Sequence, residues 1–381
     1  MVDSVTPLKE AIDAIFESGG KSIELCYQCG LCNTVCPWNL VKDFMVRKVV
    51  REARFGVSEI EGEGIWQCAA CGNCVARCPR GVKIIDVVVA LRKIASEYNI
   101  LPKTIRVARG SLSGEGNPWG GRREERGNWA DGLPVKSFTE NTEFLYFPCC
   151  TQIYDHRTRK IAVATANILK KAGVDFGIIG PEEVCCGESI RKAGDEDLFK
   201  KLAKENIKTF IEKGVRKIIV SSPHCYQVFK NEYPEFMVSF EIIHISQLLI
   251  QLVNQGKLKF VKEYGKKVTY HDPCFLGRHN GICDAPREVL SRIPGLDLVE
   301  MANSYRDSLC CGGGGARIWM ETPKGERFSD LRLGQALEAG ASELATFCPY
   351  CILNFEDSRL GLEDSNVIEI RDVTEIIQDV I

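Results

Sequence analysis

Cysteine placement limits what this chain can fold into more than any other feature. Nineteen cysteines stand among 381 residues, most of them at short repeated intervals. Cys26, Cys29, Cys32 and Cys36 precede Pro37, and Cys68, Cys71, Cys74 and Cys78 precede Pro79. Both runs read C-x2-C-x2-C-x3-C-P. An odd number of cysteines in a chain of this length fits a disulfide framework poorly. Asp3, Lys9, Glu10 and Asp13 interrupt any apolar export signal, so the expected compartment is reducing and cytoplasmic. Thiols kept reduced and clustered at such spacings are read as metal ligands.

The physical logic of the two runs is that of bacterial two-cluster ferredoxins. Three close thiolates wrap one corner of a cubane, and the fourth, carried off at the proline turn, ligates the other cluster. The expected ligand sets are Cys26, Cys29, Cys32 and Cys78 for one [4Fe–4S] cluster, and Cys68, Cys71, Cys74 and Cys36 for the second. Zinc is the alternative, but its sites show separated pairs rather than complete four-cysteine runs. Helical patterning surrounds the runs. Thr6-Pro7 reads as a helix start before Leu8, Ile12, Ile15 and Phe16. Val41, Phe44, Met45, Lys48 and Val49 read as a second helix, and Val82 to Tyr98 as a third. Residues 1–102 are therefore expected to form a helical ferredoxin domain.

Residues 103–141 read as a Gly-rich connector in which Ser111 to Pro134 crosses the surface in extended form. Gly114-Glu-Gly116-Asn-Pro-Trp119 begins like a dinucleotide fingerprint, but Pro118 and Trp119 break it, so nucleotide binding is rejected here. Trp119, Trp129, Arg122, Arg123 and Arg126 are expected in an ordered linker or against a partner. Lys and Arg total 49 against 51 Asp and Glu, which argues against a nucleic-acid surface. No run approaches the roughly 20 apolar residues of a spanning helix, so any membrane contact is expected through another subunit.

The rest of the chain repeats itself. Cys149 recurs at Cys274 and Cys185-Cys186-Gly187 at Cys310-Cys311-Gly312, a shift of 125, and Ser222-Pro-His-Cys225 recurs at Cys348-Pro-Tyr-Cys351, a shift of 126. Apolar runs Phe144–Phe147 and Lys267–Tyr270 lead into the first cysteine of each copy. Lys217–Val220 and Leu344–Phe347 lead into the last group. Amphipathic helices are expected at 158–172, 197–213 and 328–339. The fold class is thus α/β, with parallel β/α units over 142–256 and 265–381 related by a pseudo-two-fold axis. Ligands gather at the carboxyl ends of parallel strands, where these cysteines fall. The second copy offers Cys274, Cys310, Cys311, Cys348 and Cys351. The first offers Cys149, Cys185, Cys186 and Cys225, with Cys150 as a fifth and Ser222 in place of Cys348. Cys283 has no counterpart and reads as a small buried hydrophobe.

At these residues the chain resembles a known family. The repeated C-x35-CC-x35–36-C-x2-C pattern looks like the CCG domains of heterodisulfide reductase. Cys26-Tyr-Gln-Cys29-Gly and Cys78-Pro-Arg resemble its C-type subunit, so the fusion resembles the D-type subunit. The resemblance implies a noncubane [4Fe–4S] cluster on Cys274, Cys310, Cys311, Cys348 and Cys351, where a disulfide is reduced by electrons from the ferredoxin clusters. It leaves the first copy open, because Ser222 departs from the pattern: a further [4Fe–4S] cluster, zinc and an empty site all remain. Electrons would come from other redox subunits, a flavoprotein or a membrane cytochrome on a separate chain. Pure electron relay in a larger complex, as in glycolate, lactate or glycerol-3-phosphate dehydrogenases, is the competing role. His224, His271, Arg278 and Arg317, next to the motifs, are candidate proton donors or anion anchors, with structural hydrogen bonding as the default. Gly312 to Gly315 are candidate amide donors to sulfur.

Overall fold

A computed structural model describes residues 6–365 and 367–381. Asp3 lies outside them. The chain forms two compact units. The first comprises the residues up to Arg106 together with Ser189–Phe199 and Gly312–Phe328, and the second comprises Val107–Glu188, Lys200–Cys311 and Ser329–Ile381. The stretches that follow Cys185-Cys186 and Cys310-Cys311 therefore enter the first unit.

The first unit is built on helices Lys9–Ile15, Val46–Phe55 and Ile84–Glu97. The last buries Ile84, Val87, Val88, Leu91 and Ala95, positions three and four apart that share one face. The first helix starts at Lys9 with Leu8 as its N-cap, two residues later than Thr6-Pro7 suggested. Val41, Phe44 and Met45 also fall outside the helix their spacing implied, which begins at Val46. Asparagine side chains take over the local amides. Asn39 Oδ1 accepts from the Phe44 amide at 2.9 Å, and Asn33 Oδ1 accepts from the Arg47 amide at 2.8 Å. Such side-chain bonds compete with helix formation upstream and cap the helix downstream.

The second unit holds two parallel sheets. Strands β1 (Lys136–Ser137), β2 (Phe144–Phe147), β3 (Phe176–Ile178), β4 (Lys217–Val220) and β5 (Glu241–His244) are ordered β1-β3-β2-β4-β5. Strands β6 (Lys267–Tyr270), β7 (Asp297–Val299), β8 (Glu343–Thr346) and β9 (Glu369–Asp372) are ordered β7-β6-β8-β9. With β1 set aside as an added edge, the two orders are the same. Every strand pair is parallel, from Phe144 beside Lys217 to Thr346 beside Asp372. The intervening helices include His156–Lys171, Glu196–Glu212 and Phe328–Glu338, close to the expected spans.

Packing between the copies is reciprocal. Helix His156–Lys171 of the first copy lies on Val373–Val380 of the second, and Ile245–Asn254 of the first lies on Asp284–Ser291, the counterpart of His156–Lys171. Likewise Pro223–Asn231 packs on Cys274–Gly277, and Pro349–Arg359 on Cys150–Tyr154. Exchange of equivalent partners is what a two-fold relation produces. One apolar core runs through both copies, with Tyr146, Ile219 and Leu249 from the first and Tyr270, Ala345 and Ile377 from the second.

The connector differs from its expected extended form. It contains the helix Lys103–Glu115 and a 3-10 segment Arg123–Ala130. Ile105, Ala108 and Leu112 recur at helical spacing and are buried. The glycines that followed them masked that short signal.

Candidate metal-thiolate sites

The two ferredoxin runs share a backbone device. Gln28 (φ 65°) and Gly30 (φ 85°) flank Cys29, and Ala70 (φ 50°) and Gly72 (φ 79°) flank Cys71. Left-handed residues on both sides of the middle cysteine curl each trio of thiols around one point. One cavity is lined by Cys26, Cys29, Cys32 and Cys78, and another by Cys36, Cys68, Cys71 and Cys74. The fourth cysteine of each run thus sits with the other trio. Amides point at sulfur: Ala70 N lies 3.4 Å from Cys68 Sγ and Val82 N 3.3 Å from Cys78 Sγ.

Arg92 supports the second of these cavities. Its guanidinium is 1% exposed and donates to the carbonyls of Ile65 (2.9 Å), Cys68 (2.8 Å), Lys192 (2.9 Å) and Gly315 (2.9 Å). Burial pushes the Cys68 thiol up, while Arg92 and Arg317 act against it. Arg317 donates to the Trp66 carbonyl at 3.1 Å. Gly315 (φ +62°) comes so near the Cys68 and Ala69 backbone that a Cβ would overlap it. That close approach is the use the structure gives this glycine. The sequence held a sign of Arg92: a cation four residues after Val88 on the apolar face of Ile84–Glu97.

In the second unit the cysteines lie beyond the carboxyl ends of strands. Cys149 and Cys150 follow β2, Ser222 and Cys225 follow β4, Cys274 follows β6, and Cys348 and Cys351 follow β8. In the first copy the thiols act on one another electrostatically: Cys149 with Cys225, Cys186 with Cys185 and Cys225, and Cys150 with Cys185. Ser222 is fully buried, and its Oγ has no partner among the described residues. Arg126 arrives from the connector. Its Nη1 lies 3.2 Å from Cys150 Sγ and its Nε 3.2 Å from Glu183 Oε2. The sequence carried no mark to separate Arg126 from its neighbours Arg122 and Arg123.

In the second copy Cys274 Sγ lies 4.0 Å from Cys310 Sγ, and Cys351 Sγ lies 3.2 Å from Cys311 Sγ. All five thiols are buried. Burial would push the Cys348 thiol up, but hydrogen bonds from Cys351 and His224 outweigh it and bring it to about 6. Cys311 is held well below the usual thiol range by its bonds to Cys310 and Cys351. His271 Nε2 is 3.4 Å from Cys351 Sγ, while its Nδ1 accepts from Arg332 Nε at 3.2 Å. A guanidinium only donates, so the imidazole proton sits on Nε2 and points at sulfur. His271 is therefore a hydrogen-bond donor rather than a metal ligand. Five buried sulfurs with so few cations beside them are a donor set that suits a cationic iron–sulfur core. Cys283, buried and with its thiol pushed up to about 11 by burial, stands apart beside Gly277. Arg278 donates to the carbonyls of Arg306 and Ser308 and serves the loop before Cys310.

Among the described residues no helix is long and apolar enough to cross a membrane. Residues 144–230 and 268–356 match the family described as a cysteine-rich domain, CCG. Residues 22–82 match a 4Fe-4S dicluster domain. The chain is 37% identical over 303 residues to the "Probable iron-sulfur-binding oxidoreductase FadF" of Bacillus subtilis, covering 77% of this chain and 43% of that protein. It is 34% identical over 314 residues to the EtfAB:quinone oxidoreductase of Syntrophomonas wolfei, covering 78% of this chain and 44% of the relative. It thus spans less than half the length of these two relatives. Against the D-type subunit of the dihydromethanophenazine:CoB--CoM heterodisulfide reductase of Methanosarcina barkeri, identity is 33% over 307 residues, covering 78% of this chain and 73% of the relative. With a dicluster domain, two CCG repeats and this coverage, the chain belongs to the family of iron–sulfur oxidoreductase subunits that includes the D-type subunit of heterodisulfide reductase.

Proposed function

We propose that this chain carries electrons from two cubane [4Fe–4S] clusters to a noncubane [4Fe–4S] cluster in the second CCG copy, where a disulfide substrate is reduced. Cys26, Cys29, Cys32 and Cys78 hold one cubane, and Cys36, Cys68, Cys71 and Cys74 the other. Cys274, Cys310, Cys311, Cys348 and Cys351 hold the noncubane cluster. The clusters supply one-electron transfer when bound. The net reaction adds two electrons and two protons to a disulfide and releases two thiols. Cys149, Cys150, Cys185, Cys186 and Cys225 form a further site for a [4Fe–4S] cluster or zinc, in which Cys150 offsets the thiolate missing at Ser222. Electrons enter from another redox protein of the same complex.

One observation carries this reading. Gly312, the residue after Cys311, opens a segment that belongs to the same compact unit as both ferredoxin runs. In that unit Arg92 bonds the carbonyls of both Gly315 and Cys68. The chain's own residues prepare the second site. Arg332 fixes the His271 tautomer, and Asn354 Nδ2 donates to the Cys311 carbonyl at 2.9 Å. These contacts hold Cys311 and Cys351 in place and shield them from water.

Cys348→Ser tests the assignment, because a hydroxyl is a poor ligand for iron in a sulfide cluster. The variant loses disulfide reduction with an artificial donor, and its iron falls by about four atoms while the ferredoxin EPR signals persist. Full turnover in that assay would sink the catalytic assignment. The relay role, in keeping with the name EtfAB:quinone oxidoreductase borne by one relative, would then take its place.

A further inference from the structure

The first CCG copy lends a side chain to the site of the second. His224 stands one residue before Cys225 in the helix Pro223–Asn231. Its Nδ1 lies 3.0 Å from Glu188 Oε2, and both side chains are buried. The other side of the ring faces the second copy. Its centroid is 4.3 Å from Phe275 and 4.5 Å from Tyr350, two residues after Cys348, and the imidazole interacts electrostatically with the Cys348 sulfur. A carboxylate only accepts, so Glu188 fixes a proton on Nδ1 and leaves the second nitrogen for sulfur. A thiolate ligand also only accepts. Between the two acceptors, the ring donates in both directions.

We propose that His224, locked by Glu188, is a positioning residue of the second site: it donates an N–H bond to the Cys348 sulfur from the opposite copy and raises the potential at which the group held there accepts an electron. This rests on the reading that Cys348 ligates a cluster. A hydrogen bond to a ligand sulfur offsets negative charge, and the reduced state carries more of it, so the donor stabilises reduction. Position 350 is the counterpart of position 224 under the 126-residue shift. Where the two rings meet, the first copy contributes an imidazole and the second a phenol. The position matching Cys348 in the first copy is Ser222. The pair of copies is therefore specialised, with the imidazole directed to the site that has the extra thiolate. Nothing in the repeat pattern foretold a side chain crossing from one copy to the other.

The test is an EPR-monitored redox titration of the full iron-loaded chain. His224→Leu is expected to shift the second-site midpoint to a more negative potential, leaving iron content and both ferredoxin midpoints unchanged. His224→Gln retains an amide N–H in reach of sulfur and is expected to recover part of the shift. A second-site midpoint equal to wild type in both variants, with iron intact, overturns the proposal. Loss of the second-site signal in His224→Leu moves the decision to His224→Gln: a midpoint below wild type supports the proposal and an unchanged one overturns it. Cys348→Ser keeps the two levels apart. If it leaves iron content unchanged, the cluster reading has failed. If it removes about four irons while the His224 variants keep the wild-type midpoint, only the role of His224 has failed.

Discussion

The Arg126 guanidinium stands 3.2 Å from the Cys150 sulfur, deep inside the first CCG copy. Burial opposes its charge, but Cys150 and Glu183 together hold it protonated. Arg126 and Glu183 are each 1% exposed, so neither can turn to water. Arg126 is thus a buried cation at the first site, and it touches the cysteine that has no counterpart in the second copy. Cys185 and burial push the Cys150 thiol well up, and Arg126 acts against that rise, in favour of the thiolate that ligates metal.

Arg126→Met should leave Glu183 buried without its partner and Cys150 without its cation. Breaking a buried pair from one side costs about 3–5 kcal/mol. The expected result is a lower denaturant midpoint and loss of metal from the first site, with ferredoxin EPR signals unchanged. Arg126→Lys keeps the charge but cannot reach both partners at once, and it should fall between the two. Retention of all metal by Arg126→Met would show that Cys150 is not a ligand.

Gly315→Ala tests the contact with the Cys68 loop. A Cβ at φ +62° would overlap the Cys68 carbonyl, and the left-handed backbone adds about 1 kcal/mol or more of strain. The cavity lined by Cys36, Cys68, Cys71 and Cys74 should lose its cluster first. The cavity lined by Cys26, Cys29, Cys32 and Cys78 should keep its own. Gly64→Ala is the control, since nothing lies near its added Cβ. Equal iron in the two variants would refute the close approach.

The interleaved fourth cysteines predict two [4Fe–4S] clusters near enough to interact magnetically. Reduction of the iron-loaded chain should give an EPR spectrum of two spin-coupled [4Fe–4S]+ centres. Cys36→Ser should remove the coupling while leaving the Cys26, Cys29, Cys32 and Cys78 centre reducible. A wild-type spectrum without splitting would argue against the exchange of fourth ligands.

What the sequence revealed depended on how chemistry was written into it. The two C-x2-C-x2-C-x3-C-P runs and the repeated Cys-Cys-Gly placed the cysteines at four loci, because inorganic clusters impose fixed ligand spacings. Parallel strands were legible because short apolar runs alternate with long amphipathic helices. Val41 to Met45 misled because Asn33 and Asn39 satisfy the local amides, and an apolar spacing says nothing about such bonds. The helix Lys103–Glu115 was hidden by the glycines that follow it. Arg126, Glu188 and Arg332 were illegible as partners of the cysteines. Arg126 reaches Cys150 across 24 positions, Glu188 reaches His224 across 36 and Arg332 reaches His271 across 61, and a buried charge looks like any exposed one until its surroundings are known.

His244 makes stability depend on pH in a direction that can be worked out. It is fully buried at the end of β5 and caps the helix Ile245–Asn254, with Nδ1 accepting from the Ser246 amide at 3.2 Å. Nδ1 must stay unprotonated to accept, and burial holds the imidazole down at about 3. In the unfolded chain an ordinary histidine titrates near 6.5. Above that value both states are neutral and the contribution is complete. As pH falls below it the unfolded state binds a proton that the folded state refuses, so stability drops by about 1.4 kcal/mol per pH unit until the folded value is reached. Asn at this position keeps a side-chain oxygen for the cap and cannot titrate. Anaerobic urea unfolding at pH 7.5 and 5.5 should therefore show a larger loss for wild type than for His244→Asn, by about 1.4 kcal/mol. Parallel losses in the two proteins would mean that the imidazole is protonated in the folded state and that the cap is made differently.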